Sequence, residues 1–155
     1  MILGQNGFKL ITGIEQLRLI AYLDQAGVWT IGWGTTRLNG QPVKEGMVIN
    51  DLVADTLFRG DIASTIIGVS LVVDEKRLTQ NQQDALISLA YNIGLGGFKS
   101  STLAKTINSG GGIYEDLFTR WNRYTDPVTK KKKVSNGLTR RRKLEYELFM
   151  TGDDK

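Results

Sequence analysis

The sequence of 155 residues contains no cysteine and no histidine. Without cysteine there is neither a disulfide framework nor a thiolate nucleophile, and without histidine a Ser-His-Asp or Cys-His catalytic site cannot form. Imidazole and thiolate are also the usual ligands of transition metals, so a metal site is disfavoured. We therefore expect no metal and no cofactor, and we expect acid–base chemistry near neutral pH to use carboxylates, lysines or tyrosines.

Long apolar runs are absent as well. No stretch approaches the ~18–20 apolar residues of a membrane-spanning helix. The start of the chain, Met1-Ile2-Leu3-Gly4, is too short for the apolar region of a signal peptide. The sequence thus predicts no stable membrane insertion and no export signal, so that a chain made in a cytoplasm would depend on another protein to cross the membrane.

Positive charge is in excess, with twenty lysines and arginines against sixteen acidic residues, a net charge of +4 and a pI near 9.4. The excess lies late in the chain, at residues 130–133 and 140–143. Basic surfaces attract polyanions such as nucleic acids, anionic lipids and acidic cell-wall polymers. Solvated positions on a loop and on an exposed helix face explain the two clusters equally well, so the sequence leaves both interpretations open.

The hydrophobic pattern near the start of the chain mixes one helix with short strands. Apolar residues at helical spacing predict a first helix over about 6–16. Residues 21–23 and 28–31 are rich in aromatic and β-branched side chains and flank a glycine-containing loop, which predicts a β-hairpin. Asn39-Gly40 is a strong turn signal and predicts a short third strand around 42–43.

After this strand the pattern becomes helical. Asn50 or Asp51 is a candidate cap for a long helix, and Thr79 with Gln82 forms a capping box before a second one. The glycine-rich run 94–97 lacks the spacing of a phosphate-binding loop, and we interpret it as a tight turn between helices.

Three further helical segments are predicted toward the end of the chain. Ser100 or Ser101 caps a short one that ends near Ser109. Apolar spacing predicts another over about 113–121, and a final helix ends before Gly152.

These elements predict an α+β fold in a single domain, 1–155. A small β-lobe over about 18–46 precedes a larger, mainly helical lobe over about 47–152, and the first helix, about 6–16, packs on the helical lobe. A cleft between the two lobes is the natural place for a long substrate and for the active site.

Glu15, Asp24 and Thr30 are the candidates for chemistry in such a cleft. We expect Glu15 at the end of the first helix, Asp24 at the mouth of the hairpin loop and Thr30 on the returning strand. Glycoside hydrolysis needs one carboxylic acid to protonate the leaving oxygen and a second carboxylate on the opposite side of the sugar. From spacing alone, an ion pair between Glu15 and Arg18 and a turn role for Asp24 are the more frequent explanation.

A family resemblance favours the catalytic interpretation of these three residues over the structural one. The run E-Q-L-R-L-I-A-Y-L-D over 15–24, continued by G-V-W-T-I-G-W-G over 27–34, resembles the catalytic signature of phage-type lysozymes (glycoside hydrolase family 24). That signature is usually E-G-L-R-L-x-A-Y-x-D-x-x-G-x-x-T-I-G-Y-G-H-T. The resemblance implies a lysozyme-like fold and extends over about 7–149.

Later motifs follow in the family's order. The run N-I-G-L-G-G-F at 92–98, with S-T-L at 101–103, is similar to the family's N-x-G-x-G-x-F-x-x-S-T-L. The run G-L-T-R-R at 137–141, with Glu145 after it, resembles the ending G-L-x-x-R-R-x-x-E, and Trp121 lies where a tryptophan normally precedes that ending. An ordered series of this kind is more specific than any one motif.

The resemblance implies an N-acetylmuramidase that cuts the β-1,4 bond between N-acetylmuramic acid and N-acetylglucosamine in peptidoglycan during host lysis. Glu15 would donate a proton to the glycosidic oxygen. Asp24 and Thr30 would hold and activate the attacking water, with inversion at the anomeric carbon. Five more residues are expected to contact the substrate: Tyr22, Trp33, Asn92, Phe98 and Ser101.

Two positions depart from the family pattern. Gln16 replaces the usual glycine after the catalytic glutamate, which puts the aim of Glu15 in question. Thr35 replaces the usual histidine, which bears on local packing and on the response to pH. All three catalytic positions are intact, so we expect an active enzyme.

Two alternatives stay open. A lytic transglycosylase on the same scaffold would leave anhydro-muramic ends, and a non-catalytic wall- or nucleic-acid-binding module would use the basic C-terminal third. We favour the muramidase, acting as a monomer on peptidoglycan strands without binding nucleic acid. It would be made in the host cytoplasm and act in the periplasm or cell wall after release.

Overall fold

The computed structural model describes residues 1–152, and the last three residues of the predicted domain, 153–155, lie outside the described residues. Within that range the chain forms seven α-helices, one short 3-10 helix at Glu75–Arg77 and six short strands. In chain order the α-helices and strands are α1 Gln5–Ile14, β1 Arg18–Leu23, β2 Trp29–Gly32, β3 Arg37–Leu38, β4 Gln41–Pro42, α2 Asp51–Ser70, α3 Gln80–Ile93, α4 Leu95–Ser100, α5 Thr102–Ser109, α6 Glu115–Thr119, β5 Arg123–Thr125, β6 Lys132–Val134 and α7 Asn136–Met150.

The N-terminal strands form two antiparallel hairpins. Strands β1 and β2 pair with Tyr22 opposite Thr30, which confirms the first predicted hairpin. The β3–β4 hairpin turns at Asn39 and Gly40, whose φ angles of 49° and 78° are both left-handed. Asparagine and glycine tolerate these angles best, which is why this dipeptide is a reliable hairpin signal.

Helix α3 is the centre of the helical part. Every residue from Asp84 to Ala90 is buried, because α1, α2, α4 and α7 all pack against this helix. A helix surrounded in this way is apolar on most of its faces rather than along one stripe. The predicted capping box at its start is confirmed, since the Thr79 hydroxyl and the Gln82 side chain each bind the other residue's backbone N–H.

Helix α1 is anchored to α3 through a buried carboxylate. The backbone N–H groups of Gly4 and Gly7 donate to Asp84 at 2.7 and 2.8 Å. The approach is so close that a Cβ added to Gly7 would lie 2.7 Å from the Asp84 carboxyl carbon. These bonds fix the direction of α1 and therefore the position of the residue that follows it, Glu15.

The structure corrects two helical predictions. The glycine-rich segment turns only at Gly94, where φ is 82°, while the next three residues already begin α4. Gly94 serves at once as the end of α3 and the start of α4. The helix expected over 113–121 is shorter, since α6 covers only Glu115–Thr119.

The β5–β6 hairpin was not predicted, because a run of lysines has little strand propensity. The side chain of Asp126 organises the connection instead. Its Oδ1 accepts hydrogen bonds from the backbone N–H groups of Val128 and Thr129 at 3.0 and 2.7 Å. The turn thus depends on local side-chain bonding rather than on a hydrophobic pattern.

Candidate active site

A cleft of about 660 Å³ lies between the β1–β2 hairpin, the end of α1 and the start of α7. This volume is in the range of about 300–1,000 Å³ that is common for small-molecule sites. Its lining includes three predicted catalytic residues and two predicted substrate contacts: Glu15, Asp24, Thr30, Tyr22 and Asn92.

Glu15 is the residue at which α1 ends. Its backbone N–H donates to the carbonyl of Ile11 at 2.8 Å, while its own backbone is extended and leaves the helix. The side chain is 19% exposed, and Oε1 accepts a hydrogen bond from Nη1 of Arg141. The alternative ion pair with Arg18 is not formed, because the Arg18 guanidinium stacks over the Tyr22 ring at 5.3 Å.

Arg141 is held by a buried polar network between α3 and α7. Its Nε donates to Glu145 Oε1 at 3.0 Å, and its Nη2 donates to the Ser88 carbonyl at 3.2 Å. The Ser88 hydroxyl also donates to Glu145 Oε1, at 2.7 Å. With two of its three guanidinium nitrogens fixed in this way, the remaining nitrogen of Arg141, Nη1, faces Glu15 in a defined position.

Arg142 completes the buried network. Its Nη2 donates to Glu145 Oε1 at 3.0 Å, and its Nε makes an ionic contact with Glu145 Oε2 at 2.7 Å that lacks hydrogen-bond geometry. Burial lowers the pKa of Arg142 to about 10, although the Glu145 carboxylate opposes this effect. Arg142 therefore stays charged at neutral pH, and Glu145 compensates two buried cations.

Asp24 begins the loop between β1 and β2. Its Oδ1 accepts hydrogen bonds from the backbone N–H groups of Ala26 and Val28, both at 2.8 Å. Gly27 takes the left-handed φ of 78° that closes this short loop. The other oxygen, Oδ2, has no hydrogen-bond partner among residues 1–152 and remains available to a ligand in the cleft.

Thr30 lies on the same face of the hairpin as Tyr22 and Asp24. Tyr22 is its direct cross-strand neighbour, and Asp24 follows Tyr22 by two residues, the period at which side chains return to one face. The Thr30 hydroxyl donates to the Val28 carbonyl at 3.0 Å and is almost fully buried. Because its proton is engaged, its lone pairs can accept a hydrogen bond from the cleft.

Tyr22 lines the cleft together with Asp24 and Thr30. Burial raises the pKa of its hydroxyl, and the nearby charge of Glu15 adds to the effect, while Arg18 opposes it. The phenol therefore stays protonated at neutral pH and can donate a hydrogen bond inside the cleft.

Three predicted substrate contacts lie outside the cleft. Phe98 lies in the hydrophobic core with Leu103 and is fully buried, so its ring does not reach the cleft. Ser101 is also buried, and its hydroxyl caps α5 by accepting from the backbone N–H of Ala104 at 3.0 Å. Trp33 packs instead against Phe58, with ring centroids 6.1 Å apart.

Arg141 and Tyr91 line the cleft but were not among the predicted site residues. The Tyr91 hydroxyl donates to the Trp33 carbonyl at 2.8 Å and joins α3 to the β-lobe. Burial raises its pKa, with smaller contributions from Asp61 and Glu15. The R-R-x-x-E motif was the available signal for Arg141, but contact with Glu15 across 126 residues appears only in three dimensions.

The two departures from the family pattern have different structural consequences. Gln16 follows the end of α1, is exposed and has no positive φ, so its backbone does not require the glycine usual in the family. Thr35 is buried, and its hydroxyl donates to Asp61 on α2 at 2.7 Å. A hydrogen bond from an uncharged hydroxyl to a carboxyl group therefore joins the β-lobe to α2 at the position of the family's histidine.

Asp61 makes the stability of the fold dependent on pH. Burial raises the pKa of its carboxyl above the ordinary value, and the bond from Thr35 offsets this only in part. The folded protein therefore binds this proton more tightly than the unfolded chain does. As the pH rises from the ordinary carboxyl pKa of about 4 through the raised pKa of Asp61, the stability of the fold falls. Asp61→Asn cannot ionise, yet keeps an acceptor for Thr35, so its melting temperature should rise relative to wild type across that range.

Asp126→Asn is the matched comparison, because the contribution of Asp126 to stability changes with pH in the opposite direction. Lys133 and hydrogen bonds from Thr129 hold the pKa of the Asp126 carboxyl well below its usual range. Its stabilising contribution is present at neutral pH and is lost on acidification, so this variant should lose stability toward neutral pH relative to wild type. Melting temperatures of the three proteins between about pH 3 and about pH 7 test both predictions. Parallel curves of melting temperature against pH for Asp61→Asn and wild type would contradict the prediction for Asp61.

Within residues 1–152 no group of three or more acidic side chains is arranged to hold a metal ion. In the same part of the chain, no helix combines the length and the hydrophobicity needed to cross a membrane.

A small β-lobe, a larger helical body and a cleft between them that contains two carboxylates define a lysozyme-like α+β protein. The endolysin from Escherichia coli O157:H7 phage FAHEc1 has a solved structure that matches with a TM-score of 0.84 and 36% sequence identity, covering 99% of this chain and 98% of that one. The chain belongs to the phage lysozyme family, whose model matches residues 12–145.

Sequence relatives agree with this assignment. The endolysin of Bacillus phage B103 is 39% identical over 160 residues, which cover all of this chain but only 56% of that protein. The endolysin of Acyrthosiphon pisum secondary endosymbiont phage 1 is 38% identical and covers 96% of this chain and 98% of its own length. The chain thus spans little more than half of the Bacillus phage protein, and nearly the whole of the other.

Proposed function

We propose that the protein is an endolysin-type muramidase that hydrolyses the β-1,4 bond between N-acetylmuramic acid and N-acetylglucosamine in peptidoglycan. The observation that carries this proposal is the presence of Glu15, Asp24 and Thr30 in one cleft, in a chain of the phage lysozyme family. An acid and a separately held carboxylate are the two groups that glycoside hydrolysis needs.

In this proposal Glu15 protonates the glycosidic oxygen as the bond to the anomeric carbon breaks. The proton leaves a carboxylate on Glu15, whose Oε1 already accepts from Arg141. The guanidinium therefore stabilises the negative charge that develops on the acid during the step. Because Ser88 and Glu145 fix Arg141, this stabilisation requires little reorganisation.

We propose that Asp24 and Thr30 hold the attacking water. The free Oδ2 of Asp24 and the lone pairs of Thr30 Oγ1 are both acceptors, so together they can bind the two hydrogens of one water. Its oxygen lone pair is then left for the anomeric carbon, and Asp24 accepts a proton as the new bond forms. Attack from the side opposite the leaving oxygen gives inversion.

The proposal has three further parts, which concern substrate contacts, domain organisation and release. Tyr22 and Asn92 line the cleft and would contact the sugar rings. We also propose that the protein acts as a monomeric single domain with the lobe boundary near 46–47. It would reach the wall after release from the host cytoplasm by a separate protein.

Product analysis tests the reaction directly. Purified peptidoglycan digested with the protein should yield muramic acid at new reducing ends, which borohydride converts to the alcohol. Inversion of the β bond predicts that these ends appear first as the α anomer, detectable by early NMR spectra. Anhydro-muramic ends, which borohydride does not reduce, would instead identify a lytic transglycosylase, and an initial β anomer would contradict inversion.

A further inference from the structure

The β5–β6 hairpin carries a cluster of cations that the proposed reaction does not use. We call residues 123–134 the basic hairpin. Five of its side chains are exposed and positively charged: Arg123, Lys130, Lys131, Lys132 and Lys133. Of these five cations, only Lys133 has an ion-pair partner within residues 1–152, namely Asp126 at 2.6 Å. The other four cations are therefore free to bind an external anion.

Positive charge is strongly concentrated around this hairpin. Residues 120–140 contain seven of the twenty lysines and arginines, all exposed, but only one of the sixteen acidic residues. The segment thus carries a charge of +6, and the rest of the chain carries −2. The net charge of +4 is thus unevenly distributed, with the positive excess in one segment of the chain. This distribution favours binding of a polyanion at that segment rather than over the whole surface.

The basic hairpin is held in one conformation before any ligand binds. Backbone bonds join Asp126 N–H to the Lys131 carbonyl at 3.0 Å and Lys130 N–H to the Asp126 carbonyl at 2.9 Å. The carboxylate of Asp126 binds Lys133, Val128 and Thr129 in addition. Because this backbone is already ordered, binding a ligand does not carry the entropic cost of ordering it.

The hairpin also adjoins the cleft. Its second strand is followed directly by Ser135, which caps α7 and lines the cleft. Its turn meets the loop that carries Asp24, since a Cβ added to Gly27 would lie 3.1 Å from Cβ of Pro127. A polymer attached to a glycan in the cleft would therefore leave the cleft beside the free lysines.

We propose that the basic hairpin binds a phosphodiester-linked polymer attached to the glycan strand that the cleft holds. Three of its four free cations are lysines, whose compact ammonium groups bind phosphates as point charges. Planar bidentate recognition of a carboxylate or a phosphate is instead typical of arginine, whereas a run of lysines suits successive single charges along a polymer. The inference rests on the proposed function, because it takes the substrate to be a wall glycan, and it adds a second anchoring point outside the active site.

Binding and hydrolysis on two wall preparations test this proposal. One preparation carries a phosphodiester polymer, and the other is the same wall stripped with hydrofluoric acid, which cleaves phosphodiesters. The variant Lys130→Gln/Lys131→Gln/Lys132→Gln should bind the phosphate-bearing wall about tenfold more weakly than wild type at low salt. Its hydrolysis of the stripped wall should be unchanged.

The matched control removes three charges elsewhere, at exposed positions remote in sequence: Lys44→Gln/Lys76→Gln/Lys105→Gln. Equal weakening by both triple variants would reduce the effect to net charge and overturn the proposal. Equal affinity of wild type for the two walls, or tighter binding to duplex DNA or anionic lipid vesicles than to the phosphate-bearing wall, would overturn it as well. Failure of wild type to hydrolyse the stripped wall would instead contradict the muramidase assignment itself.

Discussion

Glu15→Gln should slow peptidoglycan hydrolysis by about 10²–10⁴-fold while leaving binding to peptidoglycan intact. Glutamine has the shape of glutamate and can still accept a hydrogen bond from Arg141, so the cleft should keep its form. It cannot donate a proton to the glycosidic oxygen, and the leaving sugar would depart as an unprotonated alkoxide. Release of soluble fragments from dye-labelled peptidoglycan measures the rate, and sedimentation with the insoluble polymer measures binding.

Glu45→Gln is the matched control for this experiment, because Glu45 is an exposed residue of the β-lobe and loses the same charge. Its hydrolysis rate should remain near that of wild type. Persistent lysis by Glu15→Gln would show that another group is the acid. Loss of binding together with activity, at an unchanged melting temperature, would instead assign Glu15 a role in holding the substrate.

Glu145→Gln is expected to lower the free energy of unfolding by about 3–5 kcal/mol. The carboxylate of Glu145 is completely buried and compensates Arg141 and Arg142, which are also buried. A neutral amide would leave the two guanidinium charges without an anion inside the protein, and its NH₂ group would face another donor. Urea unfolding followed by circular dichroism gives the free energy at neutral pH.

Glu147→Gln provides the comparison on the same helix. Glu147 is exposed, so its substitution should change the free energy of unfolding by no more than about 0.5 kcal/mol. A loss below about 1 kcal/mol for Glu145→Gln would mean that the buried arginines are compensated in another way. Because Arg141 also contacts Glu15, hydrolysis by the folded fraction of Glu145→Gln should fall as well.

Local signals were sufficient for several elements of the fold. The capping box of Thr79 with Gln82 and the Asn39-Gly40 turn depend on bonds and backbone angles within a few residues. Such preferences act in the same way in any surroundings, so they can be read without the fold. The lysine-rich β5–β6 hairpin escaped prediction because its turn is organised by Asp126 and carries no apolar alternation.

The predicted substrate contacts show where the family motif was insufficient. The N-x-G-x-G-x-F motif places Asn92 and Phe98 six positions apart, but the non-helical turn at Gly94 puts them on two different helices, α3 and α4. Asn92 lines the cleft, while Phe98 enters the core with Leu103. A motif records that a residue is needed at its position, but it does not tell whether packing or ligand contact is the reason.

What the sequence determined by itself was the chemistry available and the order of the elements. The absence of histidine and cysteine directed attention to carboxylates, and the signature around Glu15, Asp24 and Thr30 placed them on a helix end, a loop and a strand. Only the tertiary structure brought Arg141 to Glu15, because a contact across 126 residues depends on how α7 packs on α3 and α1. Backbone preferences act over a few residues, whereas the charge beside a catalytic acid is set by the packing of the whole core.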